Sequence, residues 1–277
     1  MKRRYLSSLI VVGFAALVHG PDPALAQTPP PLGVLQQFSV MAQSGVVGSA
    51  GAGSLVNGDV GSFATDTVTN FPPSSVGPGF FVRHVALGDA GLLAQARTDS
   101  IAAFVALNQG PGTVLLADLS GQIVTPGVYT FVTGAALLPA GGTLTLNDPT
   151  GTGVFVFRTG STLTTINTSN VVGSANPCNV YWQIGSSATI DSATFFGNVI
   201  ADASITVTGN LRGRAIAGTG ATGAVTMAVG GNTIGGCAIP GGPVPTLPDI
   251  GPWALLLVLL GSGAYLLGRR TPTEASR

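Results

Sequence analysis

The sequence predicts a mostly β fold, a parallel β-solenoid with one long α-helix packed alongside. Three observations carry that reading. Short strand cores recur at spacings of 19, 25, 17 and 20 residues, the pattern of coils that stack only on their neighbours. Only one segment has a helical period. Glycine, threonine, serine, valine and alanine dominate a central region that is nearly free of charge, while its apolar content argues against disorder.

Residues 1–26 read as a secretory signal: Lys2, Arg3 and Arg4, an apolar run from Leu9 to Val18, then Ala24-Leu25-Ala26, with cleavage expected before Gln27. The apolar run is short for a membrane helix and breaks at Gly20-Pro21. Residues 27–240 follow as one domain's length of chain.

The helical segment is "GDAGLLAQARTDSIAAFVALN", about 88–108. Apolar residues fall at Leu93, Ala96, Ile101, Phe104 and Leu107, Asp89 is placed to cap the start, and Gly110-Pro111 ends the pattern. Arg97, Asp99 and Asn108 are expected on its wetter face, the other face lying along a sheet.

Five strand cores can be aligned: Thr143–Leu146, Thr162–Thr165, Ser187–Ile190, Ser204–Val207 and Ala224–Met227. Second strands stand between them, "GVFVF" (153–157), "NVYWQI" (179–184), "FFGNVIA" (195–201) and "RGRAIA" (212–217), and residues 166–177 read as an insertion in the longest coil. Side chains alternate across a strand. Leu144, Leu163, Ala188, Ile205 and Val225 are therefore expected to stack inward. Thr145, Thr164, Thr189, Thr206 and Thr226 then form one outward column, with Thr143, Thr162, Ser187, Ser204 and Ala224 as a second and Thr208 just beyond. Coils in register sit ~4.8 Å apart, with alternate residues ~6.7 Å apart along each strand. Such a grid of hydroxyls and methyls, rigid and uncharged, suits the ordering of water into a lattice. Strand propensity alone also places threonine on a solvent face.

Other chemistry is poorly supplied. Between 27 and 244 there are five arginines (83, 97, 158, 212, 214), eight aspartates (59, 66, 89, 99, 118, 148, 191, 202), no lysine and no glutamate, a net of −3. No basic patch is available to neutralise phosphates, which argues against nucleic acid. Parallel β-helices also house polysaccharide lyases and hydrolases. Their paired carboxylates, or a base beside a cation, are not evident beyond Asp191 and Asp202 in adjacent segments. His84, the one histidine beyond the signal, reads as a helix-start or packing residue, and no Ser–His–Asp or Cys–His set can be built on it. Metal-ligand spacing, a phosphate loop and a dinucleotide fingerprint are absent, so neither catalysis nor a cofactor is expected. Tyr181-Trp182 alternates faces, one ring toward the core and the other toward a neighbour. Cys178 and Cys237, an even count in an exported domain, are expected to pair.

Residues 241–250 form a linker carrying Pro245-Thr246-Leu247. Residues 251–277 supply an apolar span and a basic tail, the uncharged run extending from Ile250 to Gly268 before Arg269-Arg270. That run is long enough to cross a bilayer with the basic pair on the cytoplasmic side. The arrangement resembles the IPTL type of bacterial C-terminal sorting signal. The resemblance implies a temporary membrane anchor recognised and removed by a sorting protease; a permanent anchor is the alternative. The chain is thus expected to be secreted or held at a cell surface.

From about Leu35 to Thr233 the chain resembles the microbial ice-binding protein family. The stretches that carry the resemblance are "VNGDVG" (56–61), "TPGVYTF" (125–131), "VFVFRTGSTLTT" (154–165), "CNVYWQIGSSATI" (178–190), "ITVTGNLRGRAIA" (205–217) and "AVTMAVGGNTI" (224–234). The resemblance implies a right-handed solenoid with a flanking helix, and a protein that adsorbs to ice and inhibits crystal growth or recrystallisation. It does not settle which face meets ice. A surface adhesin or matrix protein that binds polysaccharide is the alternative from another class.

Overall fold

A computed structural model describes residues 27–240 apart from 221 and 229. The signal, the linker, the span from Ile250 and the basic tail all lie outside the described residues. Each coil has three strands, not two, and the stacked strands form three all-parallel sheets of nine, seven and eight strands, here A, B and C. A representative coil runs through Phe155–Thr159 in A, Leu163–Thr165 in B and Ser169–Gly173 in C. The residues read as an insertion, 166–177, thus contain a sheet C strand. The third strand escapes notice because its neighbours merge across the corners. "FFGNVIA" looks continuous, yet it ends one strand at Phe196 and begins the next at Asn198. Gly197 turns between them at φ +132°, and a Cβ there would lie 2.7 Å from the Trp182 ring.

The chain does not climb the stack in one direction. It begins in the middle with Phe38–Ala42, Gly45–Val47 and Leu55–Asn57, then builds toward one end through Asp59–Ser62 and Val82–Arg83. Helix α1, Ala90–Ala106, then runs along sheet A toward the other end. The chain returns coil by coil until Ala215–Ala217, Ala224–Met227 and Thr233–Gly235 pair with the three strands that started the fold. First and last coils therefore seal each other, and neither presents an open edge there.

Two apolar clusters hold the molecule. The interior contains Tyr129, Phe157, Trp182 and Phe195, with Phe157 and Trp182 stacked at 4.1 Å between ring centroids. The buried indole N–H is satisfied by the carbonyl of Phe196 at 3.1 Å. Leu163, Ala188, Ile205 and Val225 stack inward in register, whereas Leu144 stacks with Val171 on sheet C. The second cluster lies outside the coils. Met41, Val128, Val156, Tyr181, Ile200 and Ile216 face outward from sheet A and are covered by Leu93, Ala96, Ala103 and Leu107 of α1. A strand apolar on both faces needs such a cover. Trp182 fills the core and Tyr181 meets the helix.

The helix face is turned from the expected one. Ser100 is buried where Ile101 was expected, and Ile101 is 40% exposed. The helical repeat from Leu93 leads through Ala96, Ser100, Ala103 and Leu107, and small residues let the helix approach the sheet closely. Ser100 remains satisfied by donating to the carbonyl of Arg97 at 2.7 Å. The supposedly wet residues are engaged. Asp99 accepts from the backbone N–H of Val34 at 2.7 Å, Arg97 donates to the carbonyl of Gly220, and Asn108 accepts from Gln183. Asp89 precedes the helix without a side-chain cap, because its carboxylate accepts from Arg83 and from the backbone N–H of His84.

Candidate functional site

Sheet A is covered, which leaves sheets B and C as broad surfaces. On sheet B the Cα register runs without a shift through Thr164↔Thr189, Thr189↔Thr206 and Thr206↔Thr226. Four threonines stand in one column across four consecutive strands. The row continues as Leu137 on one side and as Val47 and Thr69 on the other. Thr162, Ser187 and Ser204, each one residue ahead of a paired strand residue, make a parallel second row that ends in Ala224. Thr208 begins a third row beside Asp191.

Each side chain is held from beneath by the apolar residue that follows or precedes it in its strand. Leu163, Ala188, Ile205 and Val225 are at most 2% exposed, so the outward residues have nowhere else to turn. Among the described residues, the hydroxyls of Thr164, Thr189, Thr206 and Thr226 make no hydrogen bond within the protein and are free for water. Ser204 Oγ accepts from the backbone N–H of Ala224 at 3.1 Å, and Thr208 Oγ1 donates to the carbonyl of Ile190 at 3.5 Å. One row beneath the edge, Thr165 Oγ1 accepts from the N–H of Asp191 at 2.8 Å, which pins the turn out of the sheet. Among the described residues, Asp191 stands beside Thr208, and Asp118, bridged to Leu137, stands where the first row runs out.

Thr143 and Thr145 belong elsewhere. They lie on sheet C, where Thr143 pairs with Asn170, and Thr145 pairs with Val172 and Ile123. Their coil reaches sheet B earlier, through Ala136–Leu138, so Leu137 occupies the place expected for Thr145. The alignment of five cores failed at its first member because it matched chemistry across a coil of three strands read as two. Val47 and Thr69 were missed for a different reason. The early coils join the stack beside the last one, and no local spacing reveals that.

Sheet C is less regular. Its register shifts between Ser169 and Asn170. Asn210 donates to the carbonyl of Ala193 and accepts from the N–H of Thr233. Arg212 lies over the Phe196 ring at 5.1 Å. The corner joining sheets C and A carries the disulfide: Cys178 and Cys237 are bonded, with Cα atoms 5.4 Å apart.

Several ionisable residues have structural partners. Asp59, fully buried, accepts from Arg83 Nε at 2.7 Å and from the N–H of Phe81. Burial raises its carboxyl above 3.8 and outweighs those bonds. His84 contacts Asp66 at 2.9 Å beside the short helical turn that precedes α1. Among the described residues no cluster of three or more His, Cys, Asp or Glu could hold a metal ion. No helix there is long and apolar enough to cross a membrane.

The family described as ice-binding-like matches residues 40–234. The chain belongs to the ice-binding-like family. That match takes in every strand of sheet B, while Cys237 lies just beyond it. A protein of Nostoc sp. (strain HG1) named as an ice-binding protein is 35% identical over 237 residues, covering 82% of this chain and 81% of its own. Among solved structures, the ice-binding protein of the Antarctic ascomycete Antarctomyces psychrotrophicus is 32% identical with a TM-score of 0.64. It covers 75% of this chain and 98% of its own. An ice-binding protein from an Antarctic biological consortium is 31% identical with the same TM-score, covering 78% and 94% respectively. The ice-binding-like fold thus accounts for the solenoid and helix together.

Proposed function

We propose that this protein binds ice through sheet B and thereby inhibits crystal growth or recrystallisation. Membership of the ice-binding-like family supports ice as the ligand. The column Thr164–Thr189–Thr206–Thr226 supports the face: four identical side chains, one per coil, on strands that keep register, with hydroxyls free of protein partners. A methyl beside each hydroxyl lets the surface order water without tying it to the protein alone. The rows Thr162–Ser187–Ser204 and Thr208 widen the face. Neither a catalytic group nor a cofactor is required by this activity.

We further propose that residues 1–26 direct export and that Ile250–Gly268, with Pro245-Thr246-Leu247 before it, attaches the domain to a membrane until a sorting protease releases it. Ice affinity partitioning tests the first proposal. The folded protein is expected to be enriched in slowly growing ice over an inert control protein. Exclusion of a folded sample would overturn the proposal and favour the polysaccharide-binding adhesin.

A further inference from the structure

The chain leaves the described fold at one particular corner. Each coil passes from A to B to C and back to A, so the corner between C and A is the one opposite sheet B. Cys178 sits in that corner, between Ser169–Gly173 of sheet C and Val180–Ile184 of sheet A. Cys237 follows the last strand of sheet C and is bonded to it. The N–H of Ile239 then donates to the carbonyl of Gln36 at 2.9 Å, and Pro240 lies against Gly79, in the same corner of another coil.

Arg214 reinforces the corner. Its side chain is 3% exposed and, among the described residues, has no carboxylate partner. It donates instead to the carbonyls of Gln36, Phe38 and Cys237 and to Asn198 Oδ1. Burial lowers its pKa to about 10, still well above neutrality, so it is charged while it ties the first coil, the last coil and the outgoing chain together. Disulfide and guanidinium thus fix the exit on the side away from the threonine rows.

We propose that this corner is an attachment pole: a molecule held at its C-terminus turns the C–A corner toward the membrane and sheet B away from it. The inference rests on the reading of Ile250–Gly268 as the anchor. Residues 241–249 separate the exit from that span. Nine residues reach about 30 Å at full extension. Passing around one side of a coil, about 20 Å for a strand and its corner, uses most of that length. A tether leaving from this corner therefore favours the C–A corner over sheet B as the side nearest the bilayer.

The test uses the full chain in lipid vesicles that carry a bilayer-bound quencher. A fluorescent amino acid is placed at Thr152, in the C–A corner, or at Thr164, on sheet B of the same stretch of stack. Severalfold stronger quenching at 152 is expected, and the contrast should shrink in Cys178→Ser/Cys237→Ser. Equal quenching, or stronger quenching at 164, in vesicle-bound protein would overturn the orientation. An undiminished contrast in the double variant would overturn the clamp. Failure of the chain to bind vesicles would instead overturn the anchor on which the inference rests.

Discussion

Sheets B and C are two sides of the same coils, backed by the same core, and both are free of the helix. Sheet B carries four threonines in unbroken register; sheet C carries Thr143, Thr145, Thr194 and Thr233 on strands whose register shifts at Ser169/Asn170. Threonine content does not separate the two. What separates them is repetition: on sheet B four consecutive coils offer the same residue at the same place, whereas sheet C interleaves Asn170, Asn210 and Arg212 among its threonines. A lattice-forming solvent can respond to a repeat but not to a composition.

The largest expected effect comes from the core the two sheets share. Trp182→Ala removes the middle of the aromatic stack and should cost about 3–5 kcal/mol, lowering the midpoint of denaturant unfolding and loosening both faces together. Loss of the disulfide should divide the sheets instead. Cys178→Ser/Cys237→Ser opens a bond across 59 residues and should cost about 2–4 kcal/mol. Ice adsorption by the protein that remains folded should persist, because the bond lies opposite sheet B.

Smaller changes sharpen the contrast. Leu137→Thr extends the sheet B row by one residue, and a modest gain in thermal hysteresis is expected. Arg212→Thr adds a threonine to sheet C but leaves its register shift in place. Ice activity should not change, and stability should fall by about 0.5–1 kcal/mol as the contact with the Phe196 ring is lost. The least effect is expected from Asp148, in the C–A corner. Its carboxyl is held below 3.8 chiefly by the hydroxyl of Thr150, with help from the N–H of Gly153. Its folded pKa lies below its unfolded one, so its contribution is present above about pH 4 and fades as pH falls through the folded value. Melting curves from pH 7 down to about pH 2 should show the wild type losing slightly more stability than Asp148→Asn.

Much of this was legible in the sequence. Thr164, Thr189, Thr206 and Thr226 sit in "S/T-x-T" or "A-V-T" cores whose inward neighbours are apolar, and that alternation is a local signal. Thr145 shows its limit. In its coil the pattern falls on the sheet C strand, Thr143–Leu146, while the sheet B strand reads Ala136-Leu137-Leu138, and only pairing shows which of the two joins the threonine row. The helix was visible from its period, but not its rotation, because Ser100 satisfies itself through Arg97 and so can be buried at little cost. The meeting of first and last coils, which brings Val47 and Thr69 beside Thr226, depends on contacts far apart in the chain. So does the clamp of Arg214, which in the sequence is one of five arginines with nothing local to mark it out.

The central claim is that the register of sheet B, not threonine as such, makes the ice face. Ice affinity partitioning of Thr206→Tyr and Thr145→Tyr side by side, each shown to be folded by its melting temperature, tests it most directly. Thr206→Tyr is predicted to remain in the liquid while Thr145→Tyr enters the ice as the wild type does. Equal partitioning of the two, or loss of binding in Thr145→Tyr alone, would contradict the account.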